Sequence, residues 1–142
     1  MIVLDASCLV SLLRGEPGQN EVAGALAGEC GMNALNRAEV IDRLARHGAP
    51  ADDVAADLDT LGIAFQPLTV ELAERAAVLH SRYYHRVDRP LSLADCVALA
   101  TAIAARSALA TSDAHLATTC VEVGCEVVEV ANALGQYPLH NP

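Results

Sequence analysis

The chain has 142 residues, of which 53% are hydrophobic and 19% are charged, and its formal net charge at pH 7 is −9. This length and composition predict one globular domain with a core of its own and exclude a disordered chain. Every basic residue is an arginine, and the acidic balance argues against a general nucleic-acid-binding surface, so an anionic substrate would need local arginines or bound cations.

The first half of the chain alternates between predicted strands and predicted helices. Apolar runs and capping residues predict, in order, a strand at 1–5, helices at 7–13 and 17–27, a strand at 30–33, and helices at 35–47 and 50–61. Ser7 is the expected N-cap of the first helix, Gly15 ends that helix, and Pro17 begins the second.

The second half continues this alternation. The pattern predicts, in order, a strand at 63–68, a helix at 69–83, a basic loop at 82–89, a helix at 93–106 capped by Ser92, a strand at 108–111, a short helix from 113 and a strand at 126–130. Strands that alternate with helices favour an α/β three-layer sandwich with a central, mainly parallel sheet. We expect one domain over residues 1–135 and a loose tail over 136–142.

Four acids stand at strand ends or among apolar neighbours: Asp5, Glu39, Asp95 and Asp113. Asp5 and Asp113 each follow a predicted strand, so both lie at the same edge if the sheet is parallel, and ligands bind at that edge. Asp95 shares a helix face with apolar residues. A buried carboxylate without a partner is costly, so convergence of these acids predicts a site for a hard divalent metal.

Each acid also has an ordinary structural role that the sequence leaves open. Asp5 can accept hydrogen bonds from the amides that follow it, in an Asx-turn. Asp95 and Asp113 can cap the helices that they begin. Glu39 can form a surface pair with Arg43, four residues further along the same helix.

Four segments, taken together, resemble a known family. They are VLDAS at 3–7, NALNRAEV at 33–40, RPLSLADC at 89–96 and ATSD at 110–113. In this order, and on a chain of this size, they resemble the PIN-domain ribonucleases, especially the VapC-type toxins of bacterial toxin–antitoxin pairs. The resemblance covers nearly the whole chain. Asn33 departs from the pattern, since Ser or Thr is common at that position in the family.

The resemblance implies a metal-dependent endoribonuclease that uses Mg²⁺ or Mn²⁺ and leaves a 5′-phosphate and a 3′-hydroxyl. Its acidic quartet maps onto the four acids, with Asp5 and Asp95 as the primary ligands. Glu39 and Asp113 would bind a second ion or position water, and a hydroxyl near the metal would come from Ser7 or Thr111. The resemblance further implies a homodimer, and a small VapB-type antitoxin whose basic tail enters the acidic site.

The basic loop is the predicted place for contacts to RNA phosphates. Arg82, Arg86 and Arg89 alternate there with Tyr83 and Tyr84. Arginine can hold a phosphate while tyrosine stacks on an unpaired base. The alternative is a solvated loop without a partner.

Two other function classes are alternatives to the nuclease. A phosphatase with Asp5 as nucleophile usually needs a second acid two residues on and a lysine, whereas position 7 is Ser and the chain has no lysine. A catalytically silent PIN-like binding module stays open, although the complete quartet disfavours it.

The cysteines and the apolar runs bound the remaining possibilities. The five cysteines have no C-x-x-C spacing and suit buried free thiols, so zinc is disfavoured, as is a disulfide between Cys120 and Cys125. No apolar run reaches the roughly 20 residues of a membrane span. The early Asp5, without a basic leader before it, is unlike a secretion signal, so we expect a cytoplasmic protein.

Overall fold

A parallel five-stranded sheet lies at the centre of the computed structural model, which describes residues 1–140. The strands are β1 (Ile2–Leu4), β2 (Cys30–Asn33), β3 (Ala64–Gln66), β4 (Ala108–Thr111) and β5 (Val127–Glu129). Their order is β3-β2-β1-β4-β5, and every neighbouring pair is parallel. The prediction of a central, mainly parallel sheet is therefore confirmed, with β1 in the middle.

Seven helices connect these strands. They are α1 (Ala6–Arg14), α2 (Gln19–Leu26), α3 (Ala34–Arg46), α4 (Ala51–Asp59), α5 (Val70–Tyr83), α6 (Leu93–Ala104) and α7 (Ala114–Glu122). Parallel strands need such crossovers, and the crossovers place helices on the faces of the sheet.

Consecutive residues of the central strand show the three layers. Leu4 packs in a core cluster with side chains from α1, α2, α3 and α4, whereas Val3 packs in a second cluster with side chains from α5, α6 and α7. Both side chains are 0% exposed. Because successive strand residues point to opposite faces, the two clusters lie on opposite sides of the sheet. The predicted α/β sandwich is confirmed.

Helices α1 and α7 begin next to each other, at the edge of the sheet where β1 and β4 end. β1 and β4 are in register, with Leu4 opposite Ala110, and the next amide, that of Asp5, donates to the Ala110 carbonyl (3.2 Å). The chain leaves both strands at this edge and enters a helix at once, through Asp5 into α1 and through Asp113 into α7. Parallel pairing therefore brings together two acids that lie far apart in sequence.

The predicted N-cap of the first helix is wrong. Asp5, not Ser7, caps α1: its backbone is extended (φ −85°, ψ 174°) and its side chain accepts from the Cys8 amide. Ser7 lies inside the helix. The sequence allowed either residue because Asp and Ser are both good caps, and the strand ends one residue earlier than predicted.

Other boundaries differ from the prediction by a few residues. α6 ends at Ala104, two residues before the predicted end, and Arg106 just beyond it has a left-handed φ of 51°. α2 begins at Gln19, two residues after Pro17, which the sequence offered as its start. Helix ends generally fray over one or two residues, so these differences leave the architecture unchanged.

The residues after β5 contact the domain through hydrogen bonds. The Tyr137 hydroxyl donates to Glu21 (2.6 Å), and the Leu139 amide donates to Glu129 (2.9 Å). Two residues of the predicted loose tail, 136–142, therefore form hydrogen bonds with the rest of the domain. Residues 141–142 lie outside the described part. The single-domain boundary at 135 stays a prediction.

The helices and the cysteines bear on two further expectations from the sequence. No helix in residues 1–140 combines the length and the apolar character that crossing a bilayer demands. All five cysteines carry free thiols; four are buried and Cys125 is half-buried.

Candidate active site

Asp5 is the most enclosed acid of the predicted quartet. Its side chain is 4% exposed, and its Oδ1 accepts from the Ser7 hydroxyl (2.5 Å) and the Cys8 amide (3.2 Å). Its Oδ2 accepts from the hydroxyl of Thr111. Burial raises the pKa of Asp5 above its ordinary value, and the hydrogen bonds that it accepts oppose this rise. The carboxylate is therefore held in one orientation at the end of the central strand.

The two predicted hydroxyls connect Asp5 to the turn after β4. The Ser7 hydroxyl accepts from the Ser112 amide (3.2 Å), and the Thr111 hydroxyl accepts from the Asp113 amide (3.0 Å). Each hydroxyl thus donates to Asp5 and accepts from the backbone of the neighbouring segment. Both residues were predicted to support the acids, and the structure places both in direct contact with one.

Asp95 combines a capping role with a place beside the other acids. Its Oδ2 accepts from the Ser92 amide (2.9 Å), while its own amide donates to the Ser92 hydroxyl (3.0 Å), which forms a capping box. Burial raises the pKa of Asp95 to about 6; the hydrogen bonds from Ser92 oppose the rise, and the charges of Asp113 and Asp5 add to it. The capping alternative is therefore realised at Asp95, and its place in a metal site stays a prediction.

Glu39, on α3, is the candidate acid that interacts with the others through its charge. It is half-buried, and its pKa is raised first by burial and then by the charges of Asp95 and Asp5, while Arg43 lowers it. Within residues 1–140 Glu39 forms no ion pair with Arg43, so the surface pair offered as its alternative is not made. Glu39 is electrostatically part of the cluster.

Asp113 completes the set as the N-cap of α7. Its Oδ1 accepts from the Leu116 amide (2.8 Å), so the capping alternative is realised here as well. Its charge is felt at Asp95, whose pKa it helps to raise. Asp113 therefore contributes negative charge to the cluster and leaves its Oδ2 outside the cap.

The four carboxylates form a cluster of negative charge, and Arg43 offsets part of it at Glu39. None of them takes part in an ion pair in the described part of the chain. Like charges that crowd together at partial burial disfavour ionisation unless a cation compensates them. The cluster therefore has the electrostatics of a cation site.

The chemistry of these donors fits a hard divalent ion. Carboxylate oxygens suit Mg²⁺ and Mn²⁺, and the set contains no sulfur or imidazole ligand. Over residues 1–140, however, no three Asp, Glu, His or Cys side chains are already arranged to hold one ion. The donor type fits, and binding would require the carboxylates to move closer together.

The arginines of the basic loop do not all have the same surroundings. Arg89 makes a bidentate pair with Glu122 of α7 (2.7 and 2.8 Å) and is 21% exposed, whereas Arg82 and Arg86 are exposed. The Tyr83 ring lies near the guanidinium groups of Arg82 (5.6 Å) and Arg89 (5.9 Å). Arg89 therefore anchors the loop, and the predicted phosphate contacts suit Arg82 and Arg86 better.

Sequence reasoning missed a role for Asn36. This side chain is 1% exposed, and its Nδ2 donates to the Ala94 carbonyl of α6 (3.0 Å). One turn further along α3, the Asn36 side chain opposes the rise that burial causes in the pKa of Glu39. The sequence does show a polar residue three positions before a candidate acid, on the same helix face. A neutral amide at that spacing does not by itself indicate a function.

The comparisons with known proteins agree on one fold. The model of the PIN domain family matches residues 2–132. A toxin–antitoxin complex from Klebsiella pneumoniae is 19% identical with a TM-score of 0.67, over 90% of this chain and 96% of that chain. No curated protein sequence matches.

Two further solved structures have the same arrangement of strands and helices. FitAcB from Neisseria gonorrhoeae is 21% identical with a TM-score of 0.64, over 96% of this chain and 100% of that chain. VapC20 of Mycobacterium tuberculosis, a sarcin-ricin loop cleaving toxin, is 18% identical with a TM-score of 0.63, over 75% of this chain and 85% of that chain. At these identities the likeness shows the shared fold.

Proposed function

We propose that this chain, which belongs to the PIN domain family, is a metal-dependent endoribonuclease that acts as the toxin of a toxin–antitoxin pair. The observation that carries the proposal is the cluster of four carboxylates from separate elements, none of which forms an ion pair within residues 1–140. Cleavage of a phosphodiester places more negative charge at such a site, so the reaction needs a cation there.

Asp5 and Asp95 are the residues proposed to hold Mg²⁺ or Mn²⁺, with Glu39 and Asp113 binding a second ion or orienting water. A divalent ion at such a site makes bound water more acidic and neutralises the charge that develops on the phosphate. Ser7 and Thr111 are proposed to orient the carboxylate of Asp5, because each hydroxyl donates a hydrogen bond to one of its two oxygens.

The burial and charge of the four acids suggest a different role for each of them. Asp5 is enclosed by the protein, so it is proposed to anchor the site and not to meet solvent directly. Glu39 belongs to α3 and Asp113 caps α7, and the charge of each interacts with that of Asp95. They are suited to orienting water for in-line attack on phosphorus.

RNA is the proposed substrate, and the exposed part of the basic loop is its proposed contact. Arg82 and Arg86 are free to reach phosphates, and Tyr84 is 44% exposed beside them. A net charge of −9 means that the global field opposes RNA binding, so these local contacts and the bound ion must overcome it. The proposed products have a 5′-phosphate and a 3′-hydroxyl.

The proposed partner is a small VapB-type antitoxin with a basic segment. Two of the similar structures are a toxin–antitoxin complex and FitAcB, which supports an assembly of this kind. A basic segment complements an uncompensated carboxylate cluster and would compete with the cation for it. A homodimer is proposed on the same family grounds.

The nuclease proposal is tested with purified protein and a labelled structured RNA in Mg²⁺ or Mn²⁺. We expect the wild-type chain to cleave, and Asp5→Asn to lose more than about 100-fold in rate, beyond the range seen for outer-sphere changes at metal sites. Asp42→Asn is the matched control, since Asp42 is an exposed acid of α3 paired with Arg46. Undiminished cleavage by Asp5→Asn would overturn the assignment.

A silent PIN-like binding module is the second candidate. It is favoured by two observations: both oxygens of Asp5 already accept hydrogen bonds, and no three potential ligands in residues 1–140 are gathered around one point. A silent module would bind the antitoxin without binding Mn²⁺ or cutting RNA. Calorimetric titration with Mn²⁺, followed by the cleavage assay, separates the two functions.

A further inference from the structure

Helix α7 ends in a turn that brings two cysteines together. Gly124, just beyond the helix, has a left-handed φ of 79°, and its amide donates to the Val121 carbonyl (3.0 Å). The Cys125 amide donates to the Cys120 carbonyl (2.9 Å). These two hydrogen bonds form a Schellman motif, in which a side chain of the last helical turn contacts the side chain that follows the glycine. Both of those side chains are cysteines here.

The backbones of the two cysteines are close enough for a disulfide. Because the amide nitrogen of Cys125 lies 2.9 Å from the carbonyl oxygen of Cys120, standard bond lengths keep their Cα atoms within about 7 Å, the limit for a bridge. The two Sγ atoms also share one acceptor, since each lies 3.7 Å from the carbonyl oxygen of Glu126. Cys125 packs against the core cluster that contains Cys120.

The two thiols differ in their access to solvent. Cys120 is 0% exposed, whereas Cys125 is half-buried and lines a pocket of about 370 Å³. Burial raises the pKa of the Cys120 thiol, and the neighbouring Cys125 raises it further. A thiol must lose its proton before it attacks a disulfide, so Cys125 is the thiol that reacts first with an oxidant.

We propose that Cys120 and Cys125 form a redox-active dithiol, which low-molecular-weight disulfides oxidise reversibly to a bridge at the end of α7. The Cys125 thiolate attacks the small disulfide, so that a mixed disulfide forms and one small thiolate leaves. Cys120 then loses its proton and attacks the sulfur of Cys125, and the second small thiolate leaves. Two protein thiols are oxidised, and one small disulfide is reduced to two thiols.

A reversible bridge agrees with the free thiols of this structure, which are the reduced state of the pair. Disulfides in reducing compartments are usually transient or redox-sensing, so the proposal does not require the permanent bridge that the sequence disfavours. The bridge secures the last turn of α7, which carries Glu122, the partner of Arg89. It lies at the opposite end of that helix from Asp113, so the proposal does not rest on the nuclease function.

The bridge is tested by treating the reduced, folded protein with oxidised glutathione and then alkylating all remaining thiols in urea. We expect the intact mass to show one bridge and alkylation of the other cysteines, Cys8, Cys30 and Cys96. Cleavage after Glu122, which lies between the pair, should leave the two fragments joined until a reductant is added. Alkylation of all the cysteines, or a bridge between any other pair, would overturn the proposal.

Single variants test the order of attack. Cys120→Ser should stop at the mixed disulfide, with one glutathione on Cys125, whereas Cys125→Ser should take up none. Cys30→Ser is the matched control and should form the bridge as the wild type does, since Cys30 is another buried thiol beside a backbone carbonyl. A lasting mixed disulfide on wild-type Cys125, or glutathione on Cys120, would contradict the dithiol. Should Cys120→Ser not fold, the joined fragments of the wild type decide.

The contribution of the fold is measured as the amount of oxidised glutathione that oxidises half of the pair, at one concentration of reduced glutathione. A bridge that the folded turn favours also stabilises the folded state, so the folded protein should need at least about 10-fold less oxidant than the protein unfolded in urea. Equal amounts in the two states would show that the turn does not prepare the thiols for reaction.

Discussion

The hydroxyl of Thr111 donates a hydrogen bond to the carboxylate of Asp5, from 106 positions further along the chain. This contact joins the end of β4 to the end of β1, the two strands at the middle of the sheet. The Thr111 hydroxyl also accepts from the Asp113 amide (3.0 Å). One side chain thereby links two of the four acids, and it does so only because β1 and β4 are parallel neighbours.

Replacing Thr111 by Val should destabilise the protein, because the change leaves Oδ2 of Asp5 and the Asp113 amide without their partner at nearly constant volume. The expected loss is about 1–3 kcal/mol of unfolding free energy. Urea denaturation of the metal-free protein measures it. Thr118→Val is the matched control, since Thr118 is an exposed residue of α7 whose hydroxyl donates within its own helix. Equal losses in the two variants would show that the bridge to Asp5 adds nothing.

The raised pKa of Asp95 predicts how stability depends on pH. The pKa is about 6 in the folded chain against an ordinary value of 3.8, so the folded state holds this proton more tightly than the unfolded state does. The resulting stabilisation is present below about pH 4 and is lost as pH rises through 6, by at most about 3 kcal/mol.

Asp95→Asn should remove this dependence while its amide oxygen still accepts from Ser92. In EDTA, the unfolding free energy of the wild type relative to this variant should therefore fall between pH 4 and pH 6.5. The measurement is a series of denaturation curves across that interval. A difference that stays constant with pH would show that Asp95 has its ordinary pKa in the folded chain.

Added Mn²⁺ should stabilise the wild-type chain, because the ion binds a carboxylate cluster that the unfolded chain does not hold together. At an ion concentration 100 times the dissociation constant, the gain is about 2.7 kcal/mol. Thermal unfolding with and without Mn²⁺ measures it. Asp5→Asn should show no such rise in melting temperature, whereas Asp42→Asn should respond as the wild type does. A rise of the same size in Asp5→Asn would place the ion elsewhere.

The arginines of the basic loop should differ in their effect on RNA binding. Arg86→Ala should weaken binding and lower the slope of log affinity against log salt by about 0.7, as expected for one phosphate contact on a single strand. Arg14→Ala, at the far end of α1, should leave the slope unchanged. Fluorescence anisotropy at several salt concentrations, with the catalytically impaired Asp5→Asn chain, gives both slopes. Equal slopes in the two variants would count against the loop.

Arg89 is expected to act on stability, since its guanidinium is held by Glu122 in a bidentate pair. Arg89→Ala and Glu122→Ala should each destabilise the chain slightly, by up to about 1 kcal/mol for a pair near the surface. The double variant should lose less than the sum of the two single changes. Denaturation of the four proteins in one cycle measures the coupling, and strict additivity would contradict a pair in solution.

Much of this fold follows from local patterns. Short apolar runs and capping residues predicted all five strands, and their alternation with helices predicted the parallel sandwich. The N-cap of α1 was misplaced because Asp5 and Ser7 are equally good caps, and only the backbone conformation at Asp5 distinguishes them. Such choices are decided by where the strand ends, which depends on its neighbours in the sheet.

The candidate acids could be picked out in the sequence because charge and burial conflict there, whereas contacts that depend on tertiary packing could not. Asp5 and Asp95 stood out because acids are unusual in apolar segments. Asn36 did not, since its contact with Ala94 spans 58 positions and exists only once α3 packs against α6. The pairing of Arg89 with Glu122 was hidden for the same reason, as tertiary packing brings together residues 33 apart.

Cleavage of an end-labelled RNA, with analysis of the new ends, tests the central claim most directly. With Mn²⁺ present, wild type and Asp42→Asn should cut and leave a 5′-phosphate and a 3′-hydroxyl, and EDTA should abolish cutting. Asp5→Asn and Asp95→Asn should cut more than about 100-fold more slowly. Cleavage that persists in EDTA or in Asp5→Asn, or that leaves a cyclic phosphate, would contradict a carboxylate-held metal as the agent of cleavage.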